Sequence, residues 1–473
     1  MTGIPALEAR VRRYASERVP SLGHDVRTLL AVSGGADSTA MAAILCEGGV
    51  IDPARATVAH FDHGLRGAAA AARDRAVVEA LCERYGLALI AGAWAQPRPG
   101  EAAAREARYR FLADAALAAG ASCVATGHTE DDQVETIVLQ TLRGRGARGT
   151  AGIAPERAWP HAGPARGVGE PPGPRLARPL LAVRRAETRA YCAARGLAFV
   201  DDETNDDPRL ARNRVRAMLA DVDAETPEAR ALILRTGELA RASLATLEAA
   251  AMQAAPPRTA EGGRAVALDR GPLRRLGQEL APYAWRLAIE QLVGDARDFG
   301  RRHYAAMAAA AGARTGATFE LPRGVVLTVD ARELLLSVGP LVEPAVAPGT
   351  THCLPFSGTL GAWEVDVRAA AAAAGAQAID HADGQTTLHL PADAVLRARR
   401  PGDRVPLGAG RGHAKLHDVY IDAKVPRRRR DAAPVIAAGR DVLWSPLVRL
   451  VPGGTAAGGA PYAVRWRRVA ESA

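Results

Sequence analysis

Apolar and polar positions alternate along the first 150 residues in two rhythms. Residues 28–32, 56–60, 87–91 and 122–126 are short, nearly unbroken apolar runs, as expected of strands buried on both faces. Residues 69–85, 101–119 and 131–143 instead return apolar residues at the spacing of a helix, and 38–47, after a Gly-rich turn, also reads as a helix. Strand, helix, strand in this order predicts parallel βαβ units. The expected fold class is therefore α/β, with a doubly wound parallel sheet.

Farther along the rhythm changes. Residues 160–179, rich in Gly, Pro and Arg, predict an exposed loop, and the polar run 201–209 predicts another, with a helix at 184–195 between them. Residues 227–311 read as Ala-rich helices, and 319–338 as two short strands with a turn near Arg323-Gly324. The Ala-rich stretch 369–374 marks a boundary region. From Leu388 onward short strands alternate with Gly/Pro turns. The expected organisation is an α/β domain over 1–218, a mostly helical domain over 219–345 and a small α+β domain over 385–473. A chain of 473 residues agrees with about three domains.

Charge gives this arrangement a direction. Residues 396–473 hold 16 Lys and Arg against 6 Asp and Glu, while the other 395 residues hold 45 against 46. The net charge of +9 is thus concentrated in the tail, which suits a polyanion such as nucleic acid. The basic residues are 59 Arg and 2 Lys, so an alternative is a generally arginine-rich composition. The two lysines, Lys415 and Lys424, fall within the basic tail. Their absence from the first 414 residues excludes a Walker A loop and a Schiff-base lysine there. The 5 cysteines are scattered with no C-x-x-C pair, which excludes a disulfide scaffold, a zinc ribbon and a thioredoxin-type motif. No run of about 18 apolar residues offers a membrane span. The first residues lack a signal-peptide core, so a cytoplasmic protein is expected.

The sharpest local signal is Ser33-Gly34-Gly35-Ala36-Asp37-Ser38, which follows a predicted strand and opens a predicted helix. Small residues let backbone N–H groups close around a phosphate, and the helix N-terminus adds positive potential. Ser33 and Ser38 supply hydroxyls, and Asp37 suits Mg²⁺ beside the phosphates. The plainer alternative is a glycine turn capped by Asp37 and Ser38. Residues 144–149 match G-x-G-x-x-G, but they follow a helix rather than a strand, so the dinucleotide reading fails.

The hexapeptide resembles the pyrophosphate loop of the ATP-pyrophosphatase (N-type) superfamily. Such enzymes split ATP between the α and β phosphates, adenylate a carbonyl oxygen and let a nitrogen or sulfur nucleophile displace AMP. Further blocks narrow the resemblance. They are Ala59-His60-Phe61-Asp62-His63-Gly64-Leu65-Arg66, the helix carrying Glu101, Arg105, Arg108 and Tyr109, and the block from Gly127-His128 through Asp131, Asp132, Gln133, Glu135 and Thr136 to Leu142-Arg143-Gly144. Arg178-Pro179-Leu180-Leu181, Thr204-Asn205, Arg212-Asn213, Val215-Arg216, Arg399-Arg400-Pro401-Gly402-Asp403-Arg404 and Lys415-Leu416-His417-Asp418 complete the set. Together they resemble the bacterial tRNA(Ile)-lysidine synthetases, densely in the N-terminal domain and clearly in the tail. Ala36, Asp62 and Thr129 stand at variable positions of these motifs, and Leu210 stands where an aromatic is common.

That resemblance implies an ATP- and Mg²⁺-dependent carbon–nitrogen ligase. It would adenylate the wobble cytidine of a tRNA(Ile) bearing a CAU anticodon, and the ε-amine of L-lysine would displace AMP to form lysidine. The tRNA would change its identity from methionine to isoleucine. The candidate catalytic residues are Asp37, Asp131, Asp132 and Glu135, with Asp37 and Asp131 as metal ligands. Ser33 to Ser38, His63 and His128 are the candidate ATP contacts. Arg105, Arg108, Asp132 and Glu135 are the candidate lysine contacts. Arg212, Arg214, Arg216, Arg399, Arg400, Arg404, Lys415 and Lys424 are the candidate tRNA contacts.

Plainer alternatives accompany each group. Thr129-x-x-Asp132 also reads as a capping box. Glu101 and Arg105 also read as a solvated i,i+4 pair. His60, His63 and His128 also read as structural histidines, and the run 427–430 as a solvated loop. The rivals for the whole chain are a tRNA thiolase, which the cysteine spacing disfavours, and a nucleic-acid-binding protein with a degenerate nucleotide domain. A homodimer stands as an option that the sequence leaves open.

Overall fold

The computed structural model describes residues 3–64, 67–95, 98, 100–159, 173–200, 211–370, 383–407, 412–450 and 459–469. The described residues form two compact units, one up to Ala249 and one from Ala250 onward.

The first unit is the parallel α/β sheet that the periodicity predicts. Its elements are α1 (Ile4–Arg18), β1 (Thr28–Ala31), α2 (Ala36–Glu47), β2 (Ala56–Asp62), α3 (Ala68–Tyr85), β3 (Ala88–Ala93), α4 (Glu101–Ala118), β4 (Cys123–Thr126), α5 (Glu130–Leu142), α6 (Gly146–Thr150), β5 (Glu156–Ala158), β6 (Arg175–Ala177), α7 (Arg185–Arg195), α8 (Ala211–Glu225) and α9 (Pro227–Ala254). The strand order is β3-β2-β1-β4-β6-β5, parallel throughout except for β5 against β6.

β1 lies at the centre and is buried from Thr28 through Leu30 because both its faces are covered. Leu30 joins a core with Leu7, Ile44, Val78 and Tyr191, whereas Leu29 joins a separate one with Leu112, Ala116 and Trp159. Adjacent residues thus feed opposite layers, as the two-residue repeat of a strand requires. The chain leaves β1 toward β2 on one side and returns toward β4 on the other. That reversal opens a crevice beyond the carboxyl end of β1, where open α/β sheets place their ligands.

Three details depart from the sequence reading. The end of the expected loop 160–179 contains β6, because pairing with β4 buries Leu176 completely; residues 160–172 lie outside the described residues, as does the expected loop 201–209. The stretch 227–311 is not helical throughout. It also holds the strands Arg258–Ala260 and Ala265–Asp269, where Val266 and Leu268 are fully buried. Residues 319–338 contain three strands rather than two: the expected turn at Arg323-Gly324 separates Thr318–Glu320 from Val325–Val329, and a second turn, closed by Asp330 N–H on Glu333 O, separates Val325–Val329 from Glu333–Val338.

Those strands build an antiparallel sheet of five in the second unit. The rest of that unit carries a six-stranded and a four-stranded sheet with the helices Leu416–Asp422 and Arg427–Arg430.

Candidate active site

The loop after β1 closes on its own serines. Ser33 N–H donates to Ser38 Oγ at 3.1 Å, and Ser38 Oγ donates to Gly35 O at 3.0 Å. Gly34 has φ +92°, and a Cβ there would stand 3.2 Å from the Asp74 carbonyl oxygen, so both shape and space demand glycine. Gly127, after β4, is equally constrained: a Cβ would lie 3.0 Å from the backbone of Asp37 and Ser38. The first turn of α2 therefore presents unpaired N–H groups to the crevice, with the positive end of the helix behind them.

Asp37 lies in that first turn. Its Oδ1 accepts the Thr188 hydroxyl at 2.5 Å and its Oδ2 accepts Arg185 Nε at 3.3 Å. Burial pushes its carboxyl up, Asp132 adds to the rise, and Thr188 and Arg185 offset the two only in part. The carboxylate is thus short of positive charge.

The acidic turn of α5 faces the same place. Asp132 follows the capping-box reading with one oxygen and faces the cluster with the other. Its Oδ2 caps α5 by accepting Thr129 N–H at 2.8 Å, while its Oδ1 accepts Arg185 Nη2 at 3.1 Å and Arg212 Nη2 at 2.8 Å. Glu135 is buried and accepts Arg212 Nε at 2.7 Å, Arg216 Nε at 2.8 Å and Arg185 Nη1 at 3.4 Å. Burial would raise its pKa, but Arg216 and Arg212 outweigh burial and hold it below the usual carboxylate range. Asp131 accepts the Arg185 backbone N–H at 2.7 Å and pairs with Arg230 at 3.2 Å. Asp37, Asp132 and Glu135 therefore meet around the Arg185 side chain, and Asp131 holds the Arg185 backbone.

Sequence reasoning did not single out Arg185 or Thr188. A signal was present. Arg184 and Arg185 open α7, where the helix dipole disfavours positive charge, so carboxylates had to come from elsewhere in the fold.

The cationic candidates separate. Arg212 and Arg216 turn inward to Glu135, whereas Arg214 is exposed. On α4, Arg105 donates to the Tyr109 hydroxyl at 3.0 Å, and Arg108 stands 5.6 Å from the centre of the same ring. The Glu101 side chain lies outside the described residues.

His60 follows the structural reading: it is buried, with Nδ1 3.0 Å from Val32 O. His63 packs edge-on against Phe61, ring centres 5.0 Å apart. His128 Nδ1 lies 2.9 Å from Thr126 Oγ1, and burial together with Arg178, Arg108, Arg105 and Arg212 pushes its pKa far down, so the ring is neutral.

Much of the tail's basic charge is tied up internally. Arg399 pairs with Asp431, Arg404 with Asp441, and Arg400 donates to Thr351 Oγ1 at 3.0 Å. Arg428 pairs with Glu261 and Asp330, and Arg429 with Glu261. Lys415 and Lys424 are exposed.

No group of three or more His, Cys, Asp or Glu forms a metal cage among the described residues. Asp37 nevertheless fits Mg²⁺, which commonly takes one or two carboxylates and completes its shell with substrate phosphates and water. An under-neutralised carboxylate beside a phosphate loop is such a ligand. Asp131 fits less directly, because both of its oxygens already face a cation or a backbone N–H.

Comparison with known proteins agrees with this geometry. Residues 7–222 match the family model described as PP-loop domain, and residues 394–466 match that described as TilS substrate C-terminal domain. The tRNA(Ile)-lysidine synthase of Symbiobacterium thermophilum is 33% identical over 472 residues, covering 94% of this chain and 93% of that protein. That of Geobacter sulfurreducens is 32% identical, with 94% and 93% covered, and that of Dehalococcoides mccartyi 31% identical, with 93% and 94% covered. Such identity along nearly the full length of each relative, on a phosphate loop built as described, places the chain in the tRNA(Ile)-lysidine synthase family, as an ATP-using ligase of the PP-loop class.

Proposed function

We propose that the protein joins L-lysine to the wobble cytidine of a CAU anticodon in tRNA(Ile), with ATP split to AMP and pyrophosphate. One observation carries this reading: through Arg185, Asp37 of the phosphate loop lies one side chain away from Asp132 and Glu135. A nucleotide held at the helix N-terminus and an ammonium held by the two acids would then be neighbours. Neighbouring sites are what transfer through an adenylated intermediate needs.

The roles divide by charge. The N–H groups of the loop and the α2 terminus cradle the phosphates. Asp37, with Asp131 nearby, would hold Mg²⁺, which when bound neutralises charge on the leaving pyrophosphate. Asp132 and Glu135 suit the ammonium of lysine, whose place is taken here by the guanidinium groups of Arg185, Arg212 and Arg216. Arg105 and Arg108 suit its carboxylate. His128, being neutral, suits a hydrogen bond to nucleotide or base, and His63 stands as a second such contact. Arg214, Lys415 and Lys424 are exposed cations for the tRNA backbone, so residues 219–345 and 385–473 act as the tRNA grip.

The thiolase reading gains nothing from the cysteines: burial pushes Cys46 and Cys123 each up to about 12, far from a reactive thiolate. No helix among the described residues is long and apolar enough to cross a membrane. We place the protein in the cytoplasm, where tRNA, ATP and lysine meet. A homodimer is compatible with this scheme and is not required by it.

The test is pyrophosphate release measured with tRNA and lysine added singly and together. Full pyrophosphate release should require the tRNA, and AMP release should require lysine as well. Equal release with ATP alone would contradict adenylation of the tRNA.

A further inference from the structure

The cationic stripe of α4 ends on a buried phenol. Tyr109 is 4% exposed and packs among Leu29, Leu112, Val124 and Leu176, its ring centre 5.3 Å from that of Trp159. A tyrosine so placed needs partners for its hydroxyl. Those partners are cations. Arg105 donates from Nη2 at 3.0 Å, and its guanidinium carbon lies 4.8 Å from the ring centre. Arg178 acts electrostatically on the phenol. Arg108 stands over the ring at 5.6 Å. Burial pushes the phenol's pKa up, but Arg105, Arg108, Arg178 and Arg157 together outweigh burial and bring it down.

Arg178 is as buried as Tyr109, and its Nη1 donates to Ala154 O at 2.6 Å. Burial brings its guanidinium down to about 10 and Arg157 and Arg105 add to this, whereas Tyr109 acts the other way. Four like charges therefore converge on one small acceptor from three segments of the chain: α4, β5 and the residue after β6. Like charges so close repel, and the phenol oxygen is the acceptor that fixes Arg105 among them.

We propose that Tyr109 is a positioning residue for the amino-acid substrate: its hydroxyl, which accepts from Arg105, and its ring, beneath Arg108, hold these two arginines in the geometry that receives the substrate's α-carboxylate. The proposal rests on the reading of Arg105 and Arg108 as the lysine subsite. A tyrosine that served packing alone would tolerate phenylalanine without any change in which amines the enzyme prefers.

The experiment compares lysine with cadaverine, which keeps both amines and lacks the carboxylate, at saturating ATP and tRNA in the full-length protein. The wild type should favour lysine strongly. Tyr109→Phe should raise KM for lysine about tenfold, the loss expected from one hydrogen bond to a charged group. It should leave cadaverine use, kcat and the KM for ATP unchanged. Equal losses with both amines, or an unchanged KM for lysine, would overturn the proposal. A wild type that uses cadaverine as well as lysine would instead overturn the carboxylate subsite itself, and the role of Tyr109 with it. If thermal melting shows that Tyr109→Phe does not fold, Tyr109→Met fills the site without a hydroxyl, and the same two outcomes decide.

Discussion

Arg212 donates from Nε to Oε2 of Glu135 across 2.7 Å, which ties α8 to α5 at a carboxylate only 2% exposed. Arg216 and Arg185 complete the shell around the same group. Removing the buried charge should therefore cost more than removing one of its partners. Glu135→Gln should lower stability by about 1.5–3 kcal/mol, the scale of losing charged hydrogen bonds to three partly exposed guanidinium groups. Arg212→Ala should cost about 1 kcal/mol, because its side chain is 38% exposed and Glu135 keeps two donors. Denaturant unfolding checks both, and equal losses would show that Glu135 does not anchor the cluster.

Asp37 offers a cleaner separation of chemistry from fold. Thr188 and Arg185 both donate to its oxygens, and Asn keeps one acceptor for them. Asp37→Asn should fold normally and bind tRNA as the wild type does. Its pyrophosphate release should fall about 10²–10³-fold, the scale of losing one electrostatic contact to the transferring phosphates. Wild-type release would remove Asp37 from the nucleotide chemistry.

The sheet and the phosphate loop were legible because their signals are local. Leu29 and Leu30 are buried on opposite faces, so β1 carries adjacent apolar residues, and Gly34 needs a left-handed turn that only glycine takes cheaply. The acidic turn of α5 was legible too, but its partners were not. Arg185 reaches Asp132 from 53 positions away and Arg212 from 80, distances at which no periodicity speaks. The short strands 258–260 and 265–269 were hidden for a similar reason: only pairing with Glu333–Val338 and each other makes them strands. Composition misled in the tail, where Arg428 and Arg429 look like solvated charge and instead satisfy Glu261 and Asp330.

That buried network gives a pH signature. Burial pushes the Glu261 carboxyl up, but Arg429 and Arg428 outweigh burial and hold it at about 2, below its ordinary 4.5. A carboxyl depressed on folding contributes stability that is complete above the unfolded value and is lost as pH falls through the folded one. The wild-type Tm should therefore drop more steeply between pH 4.5 and 2 than that of Glu261→Gln, which starts lower and has no carboxyl there to titrate. Parallel curves would show that Glu261 is not held by its arginines.

Paired and exposed cations of the tail should also separate in tRNA binding. Lys415→Ala removes an exposed charge and should reduce the slope of log affinity against log salt by about 1. Arg428→Ala should instead reduce stability and leave that slope nearly unchanged, since its guanidinium already serves Glu261 and Asp330. Filter binding across a salt series and thermal melting read the two effects. Equal slopes for Lys415→Ala and the wild type would move the RNA contacts elsewhere.

Incorporation of radiolabelled lysine into RNA tests the central claim most directly. The protein is incubated with ATP, Mg²⁺ and labelled lysine, with either a tRNA(Ile) transcript bearing a CAU anticodon or an initiator methionine tRNA. The account predicts label on the isoleucine transcript, none on the methionine tRNA, and AMP formed in step with the label. Pyrophosphate release without label on either RNA would contradict it, by leaving an adenylating domain whose nucleophile is not lysine.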